Sequence, residues 1–179
     1  MLCDYIIKSN LSQLSAWCLY CYGAKTWNKI CLARQKNAQS GGEGDDDDDK
    51  AGDEWTAAMV TPAVSDSGHE PLTGVISALK PSTCAALLEH QIEWAEALGG
   101  VASRDMAAWV YALLARAEKP LHPDHVSAIR TLAMLCGRQR AALLADFDGK
   151  GSPPPFVTGL SLLICIVANY FSQSDLADA

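Results

Sequence analysis

The chain has 179 residues, 49% hydrophobic and 20% charged, the composition of one globular domain, which excludes two large ones. Its net charge of −7 excludes a general phosphate-neutralising surface, so contact with RNA is expected to be indirect. Seven irregularly spaced cysteines read as reduced intracellular thiols, the N-terminus makes a poor secretory signal, and no apolar run spans a bilayer, so a soluble chain with no membrane association is expected.

Charge then divides the chain. Residues 1–36 carry five bases against one acid, net +4, and are left as an unassigned, poorly ordered N-terminal segment. Residues 37–70 carry one base against ten acids, net −9, with Gly41, Gly42, Gly44 and the run Asp45 to Asp49. Such a stretch buries too little apolar surface to offset its ordering entropy, so a disordered acidic low-complexity linker is expected. Asp46 to Lys50 also spells the enteropeptidase cleavage sequence, which leaves the origin of the Asp45–Lys50 run open.

From residue 71 to 179 the apolar residues fall at helical spacing. Leu72, Val75, Ile76 and Leu79 mark a short first helix that Pro81 ends. Ser82 or Thr83 is the expected cap of a second, with Cys84, Leu87, Leu88, Ala95 and Leu98 on one side and Gly99-Gly100 as its stop. Ser103 caps a third, with Asp105 favoured by the helix dipole and a stripe of Met106, Trp109, Val110, Leu113 and Leu114 ahead of Pro120. Pro123 suits the first turn of a fourth helix, which carries Val126, Ile129, Ala133, Cys136, Leu143 and Leu144 inward. After a loop at Asp146 to Pro155, Phe156 to Phe171 is apolar nearly all round and is expected to be the surrounded, central helix. With no sustained period-two alternation, the fold class is all-α: a single bundle of about five helices over residues 71–179, expected to fold alone.

Sites of chemistry are weak. Cys18 and Cys21 form a C-x-x-C pair flanked by Cys3 and Cys31, but no second close pair completes a zinc module. His122 and His125 lie three apart at a helix start without a nameable third ligand, and Asp146-Phe147-Asp148-Gly149 opens like a calcium loop whose twelfth position is Val157 instead of Glu. No nucleophile elbow or phosphate-cradling loop is present, so catalysis is unsupported and no cofactor is expected. Trp94 and Trp109, on adjacent helices, are core candidates whose exposed edges would also suit a partner's helix.

Several runs together are diagnostic: Trp109-Val110-Tyr111-Ala112-Leu113-Leu114, Glu118-Lys119-Pro120-Leu121, Ile129-Arg130-x-Leu132-Ala133, Leu162-Leu163-Ile164-Cys165-Ile166-Val167, Tyr170-Phe171 and Asp175-Leu176-Ala177-Asp178. Over about Pro71 to Ala179 the chain resembles the C-terminal helical domain of the survival-of-motor-neuron (SMN)-interacting, or Gemin two, family. The acidic stretch ending at Trp55 weakly resembles that family's linker, whereas residues 1–36 resemble nothing identified in it.

The resemblance implies a non-catalytic scaffold of the SMN complex, working in cytoplasm and nucleus during spliceosomal ribonucleoprotein assembly. Its helical domain would receive the N-terminal helix of SMN in a groove and touch the D-type pair of Sm proteins, while the family's separate Sm-embracing arm is not recognised in this chain. The family arginine directly before the Trp, implied to pair with an acid of the SMN helix, is Ala108 here. Arg104, one turn earlier on the same face, is the expected substitute, so Arg104, Ala108 and Trp109 are the expected partner-binding residues. The alternatives are a metal-binding or redox protein using Cys18/Cys21 or His122/His125, and a helical adaptor for an unrelated partner.

Overall fold

The computed structural model describes residues 14–40, 68–145, 147 and 150–176. They form an all-α structure of six α-helices without strands: α1 (Leu14–Ser40), α2 (Thr73–Ala78), α3 (Pro81–Ala97), α4 (Arg104–Arg116), α5 (Pro123–Ala145) and α6 (Pro155–Cys165). A π-helical turn, Ile166–Tyr170, and a 3₁₀ turn, Ser174–Leu176, complete it. The Asp45–Asp49 run, the closing Ala177-Asp178, and Asp146, Asp148 and Gly149 of the calcium-like stretch lie outside the described residues.

Local chemistry sets the helix ends. Pro81 ends α2 and also opens α3, where its missing N–H costs nothing at the first helical position. The cap is therefore Lys80, in an extended conformation, and not Ser82 or Thr83. Gly99, at φ 77°, turns the chain out of α3, while the Gly100 N–H donates to the Ala95 carbonyl at 2.8 Å. Gly100 is confined for a second reason: the Gln139 amide pairs with both backbone groups of Val101 at 2.9 Å, and a Cβ on Gly100 would stand 2.8 Å from its Oε1. At α4 the Ser103 hydroxyl accepts the Met106 N–H at 3.1 Å, the expected cap.

One hydrophobic core runs through all the helices. The predicted α4 stripe of Met106, Trp109, Val110, Leu113 and Leu114 is fully buried, against Leu87 and Leu88 of α3, Ile129, Leu132 and Ala133 of α5, and Leu160 and Leu163 of α6. Leu72 is exposed at the start of α2, however, and Leu143 and Leu144 are exposed at the end of α5, which continues past its neighbours. Phe156 to Phe171 is not surrounded either. Val157, Leu160, Leu163, Ile164 and Val167 face the core, but Thr158, Leu162, Cys165 and Asn169, spaced i, i+4, i+7, i+11, face outward, with Leu162 49% exposed. After Cys165 the backbone hydrogen bonds span five residues in place of four, and the helix closes with the Phe171 N–H on the Ile166 carbonyl at 3.4 Å.

The N-terminal segment is where the structure adds most. Residues left unassigned fold as α1, which runs through 36 to Ser40 and bends at Gly23, at φ 73° and ψ 174°. Trp17, Cys18, Tyr20, Cys21, Tyr22 and Ile30 are all buried in the same core as α3 and α4. Tyr22 meets Trp94 edge-on at 6.0 Å, and Tyr20 meets Trp109 in the same way, also at 6.0 Å. Residues 71–179 thus share their core with residues upstream of the acidic stretch.

Candidate partner-binding groove

On a helix two residues apart project about 200° from each other, so the W-x-Y pattern of α4 sends its two rings in opposite directions. Trp109 goes inward and is 0% exposed, whereas Tyr111 is 46% exposed. Ala108, Tyr111 and Ala115 share the outward face with Ala112 beside them, and small side chains there leave a trough between α4 and α2. Pro71, Thr73, Ile76 and Ser77 form the opposite wall, and Arg116 closes one end. The space is about 430 Å³ and predominantly apolar.

Arg104 stands one turn before Ala108 on the same stripe, exposed, with no ion-pair partner among the described residues. A long guanidinium there can swing toward a carboxylate in the trough. Arg116 is already engaged: Nη1 donates to Glu118 Oε1 at 2.6 Å and Nη2 to the Leu79 carbonyl at 3.4 Å, joining the end of α2 to α4. Of the three expected partner-binding residues, Ala108 lines the groove, Arg104 extends its stripe, and Trp109 lies beneath it. Trp109 is no edge residue: its indole Nε1–H donates to the His69 carbonyl at 2.6 Å and its ring is covered by Tyr20. The groove residues that sequence reasoning missed are Tyr111 and the wall from Pro71 to Ser77. The half-turn offset between Trp109 and Tyr111 was the signal for the first; the second depends on how α2 docks.

The family-like motifs explain one another in space. Arg130 donates to both carboxylate oxygens of Asp175, at 3.0 and 2.6 Å, and to Gln173, tying the closing D-L-A-D run to α5 while Leu176 is buried. This hydrogen-bonded guanidinium holds the Asp175 carboxyl below its ordinary range. Lys119 of the E-K-P-L run sits 4.0 Å from the centre of the Tyr170 ring, a cation–π contact that joins the α4–α5 connection to the C-terminal segment.

The candidate metal and redox residues behave differently. Cys18 and Cys21 are buried in the α1 face, and desolvation pushes the Cys18 thiol up to about 12 and the Cys21 thiol well above its ordinary value. Thiols held protonated in a core are poor nucleophiles. Cys21 Sγ instead lies 3.8 Å from the Gln91 amide nitrogen, as an acceptor. His122 and His125 do approach, with ring centres 6.0 Å apart, yet each is occupied with a carboxylate: His125 Nδ1 with Glu89 at 2.5 Å and His122 Nδ1 with Asp124 at 3.2 Å. Among the described residues no group of three or more His, Cys, Asp or Glu side chains is placed to hold a metal ion. None of their helices is long and apolar enough to cross a membrane.

Fold and groove together define an all-helical domain with an apolar trough on one face, lined by no carboxylate, histidine or thiol. The family described as survival motor neuron (SMN) interacting protein 1 matches residues 7–174, and the chain belongs to it. It is 33% identical over 156 residues to Gem-associated protein 2 of Mus musculus, covering 85% of this chain and 50% of the relative. It is 39% identical over 111 residues to Gem-associated protein 2 of Xenopus laevis, covering 62% of this chain and 40% of the relative. To Gem-associated protein 2 of Dictyostelium discoideum it is 28% identical over 111 residues, 62% of this chain and 31% of the relative. The chain spans half or less of the length of these relatives. The match beginning at residue 7 takes in α1, which the motifs after Pro71 had not included.

Proposed function

We propose that this chain is a non-catalytic scaffold component of the SMN complex, and that the trough between α2 and α4 receives the N-terminal helix of SMN. The single observation that carries the reading is the outward stripe of Ala108, Tyr111 and Ala115. Its small side chains let a helix approach, and Tyr111 supplies an aromatic edge of the kind that dominates binding energy at interfaces. Family membership supports a partner within the SMN complex. Arg104, exposed at the end of the stripe, takes the part of the arginine that Ala108 lacks. A contact with the D-type pair of Sm proteins, an indirect relation to RNA, and work in cytoplasm and nucleus complete the proposal.

The test is fluorescence anisotropy of a labelled peptide of the SMN N-terminal helix with the wild-type chain and with Ala108→Arg. Restoring the family arginine should tighten binding by about 1 kcal/mol, the scale of a rim ion pair, with greater salt dependence. A variant no tighter than wild type would place the helix elsewhere.

A further inference from the structure

One wall of the groove is built by a segment held from the far side of the molecule. Pro71 lines the groove, and two residues before it His69 is gripped by α1. The His69 N–H donates to the Tyr20 carbonyl at 2.9 Å, its ring Nδ1 lies 3.0 Å from the same oxygen, and the ring stacks on Tyr20 with centres 4.5 Å apart and planes 7° from parallel. The His69 carbonyl in turn accepts the Trp109 indole N–H at 2.6 Å. Gly68 seals the contact, because a Cβ there would stand 1.9 Å from the Cys21 carbonyl oxygen and 2.4 Å from the Tyr22 nitrogen, both backbone atoms that cannot rotate away.

Between His69, held on α1, and Pro71 there is thus only one residue of chain, Glu70, and the opposite groove wall, α4, is pinned to the His69 carbonyl by Trp109. Beyond Pro71, the Val75 and Ile76 N–H groups both donate to the Leu72 carbonyl, at 2.9 and 3.1 Å, so displacement at His69 propagates directly into the first turn of α2. A helix as short as α2 has little independent stability. Its place against α4 is set by the burial of Val75, Ile76 and Leu79 in the core, by the Arg116 contact at its end and by His69 before its start.

We infer that His69 is a positioning residue for the groove: clasped between Tyr20 of α1 and Trp109 of α4, it fixes the Pro71–Ile76 wall, so partner affinity depends on α1 without α1 touching the partner. This rests on the groove reading above. It assigns a binding role to a segment far from the groove, through contacts no groove residue makes.

The experiment measures two things on the full chain: affinity for the SMN N-terminal helix peptide, and hydrogen exchange at the Val75 and Ile76 amides. His69→Ala removes the stack and the Nδ1 contact at an exposed position, so folding is retained; it should weaken the peptide about three- to tenfold and speed exchange at Val75 and Ile76, with α5 amides unchanged. His69→Phe, which keeps the stack, should recover most of both, a rescue that a general loss of stability would not show. Gly68→Ala, which must lift the segment off α1, should exceed His69→Ala in both. Unchanged affinity and exchange in His69→Ala overturn the inference, as does a His69→Phe as impaired as His69→Ala. If wild type does not bind the peptide, the groove reading fails. Exchange at Val75 and Ile76 then still decides whether the clasp holds the wall.

Discussion

Two charged residues of the same type carry different weight. Arg104 is exposed and has no ion-pair partner among the described residues, so its value appears when a partner's carboxylate arrives. Arg104→Glu replaces attraction by repulsion at that point and is expected to weaken binding of the SMN helix by about 1 to 3 kcal/mol, read by calorimetry, with circular dichroism unchanged. Unaltered affinity would mean that apolar contact alone holds the helix. Arg130 is the opposite case, committed to Asp175 in a two-bond geometry. Because the folded state lowers the pKa of Asp175, the pair stabilises fully above the ordinary carboxylate pKa of about 3.9 and loses that contribution as pH falls through the lowered value. Asp175→Asn should therefore lower the melting temperature at pH 7 and flatten its fall between pH 5 and 2. A parallel fall in both proteins would show that the pair does not contribute.

At the scale of elements, legibility followed chemistry that is local in the chain. Ser103 as a cap, Gly99-Gly100 as a stop and Pro123 as an opener each act within one turn, and each stands where spacing put it. Pro81 was read as an end and is an end and a beginning, because the sequence does not say whether the next helix waits for a hydroxyl. The α6 segment was read as surrounded because composition alone does not reveal that Leu162 and Cys165 share one uncovered face. α1 was the largest omission. Its Trp17, Tyr20, Tyr22, Trp27 and Ile30 look irregular until the bend at Gly23 brings both halves onto the core, and no periodicity count spans such a bend. A fragment of residues 68–179 should accordingly melt below the full chain and bind an apolar dye, since Trp94 and Trp109 lose their aromatic neighbours and the burial of each large side chain is worth about 1.5 to 3 kcal/mol. A fragment as stable as the full chain would show that residues 71–179 form the self-contained unit their helices first suggest.

Among the described residues the core and the groove are joined at Trp109: its ring belongs to the core while its indole N–H holds the segment that leads into the groove wall. Trp109 was legible as a core candidate from its apolar stripe and as important from its motif, but a motif names residues without saying which neighbours they hold. On the proposed function, these 179 residues alone should bind the SMN helix and the D-type Sm pair but retain a full set of Sm proteins less well than a longer relative, because two tethered contact sites raise avidity over one by about 10² to 10⁴. Size-exclusion chromatography with purified Sm proteins reads this directly, and a stable complex holding all five would contradict it.

The central claim is that the α2–α4 trough is the seat of the SMN helix, and filling the trough tests it. Ala112 lies on the groove floor beside Tyr111 and only partly buried, so Ala112→Trp occupies the space with an indole while leaving the Trp109 side of α4 untouched. Calorimetric titration of the SMN N-terminal helix peptide should show binding to the wild-type chain and at least a hundredfold weaker binding to Ala112→Trp, with circular dichroism showing the helical fold retained. Equal affinity for the two proteins would contradict the claim.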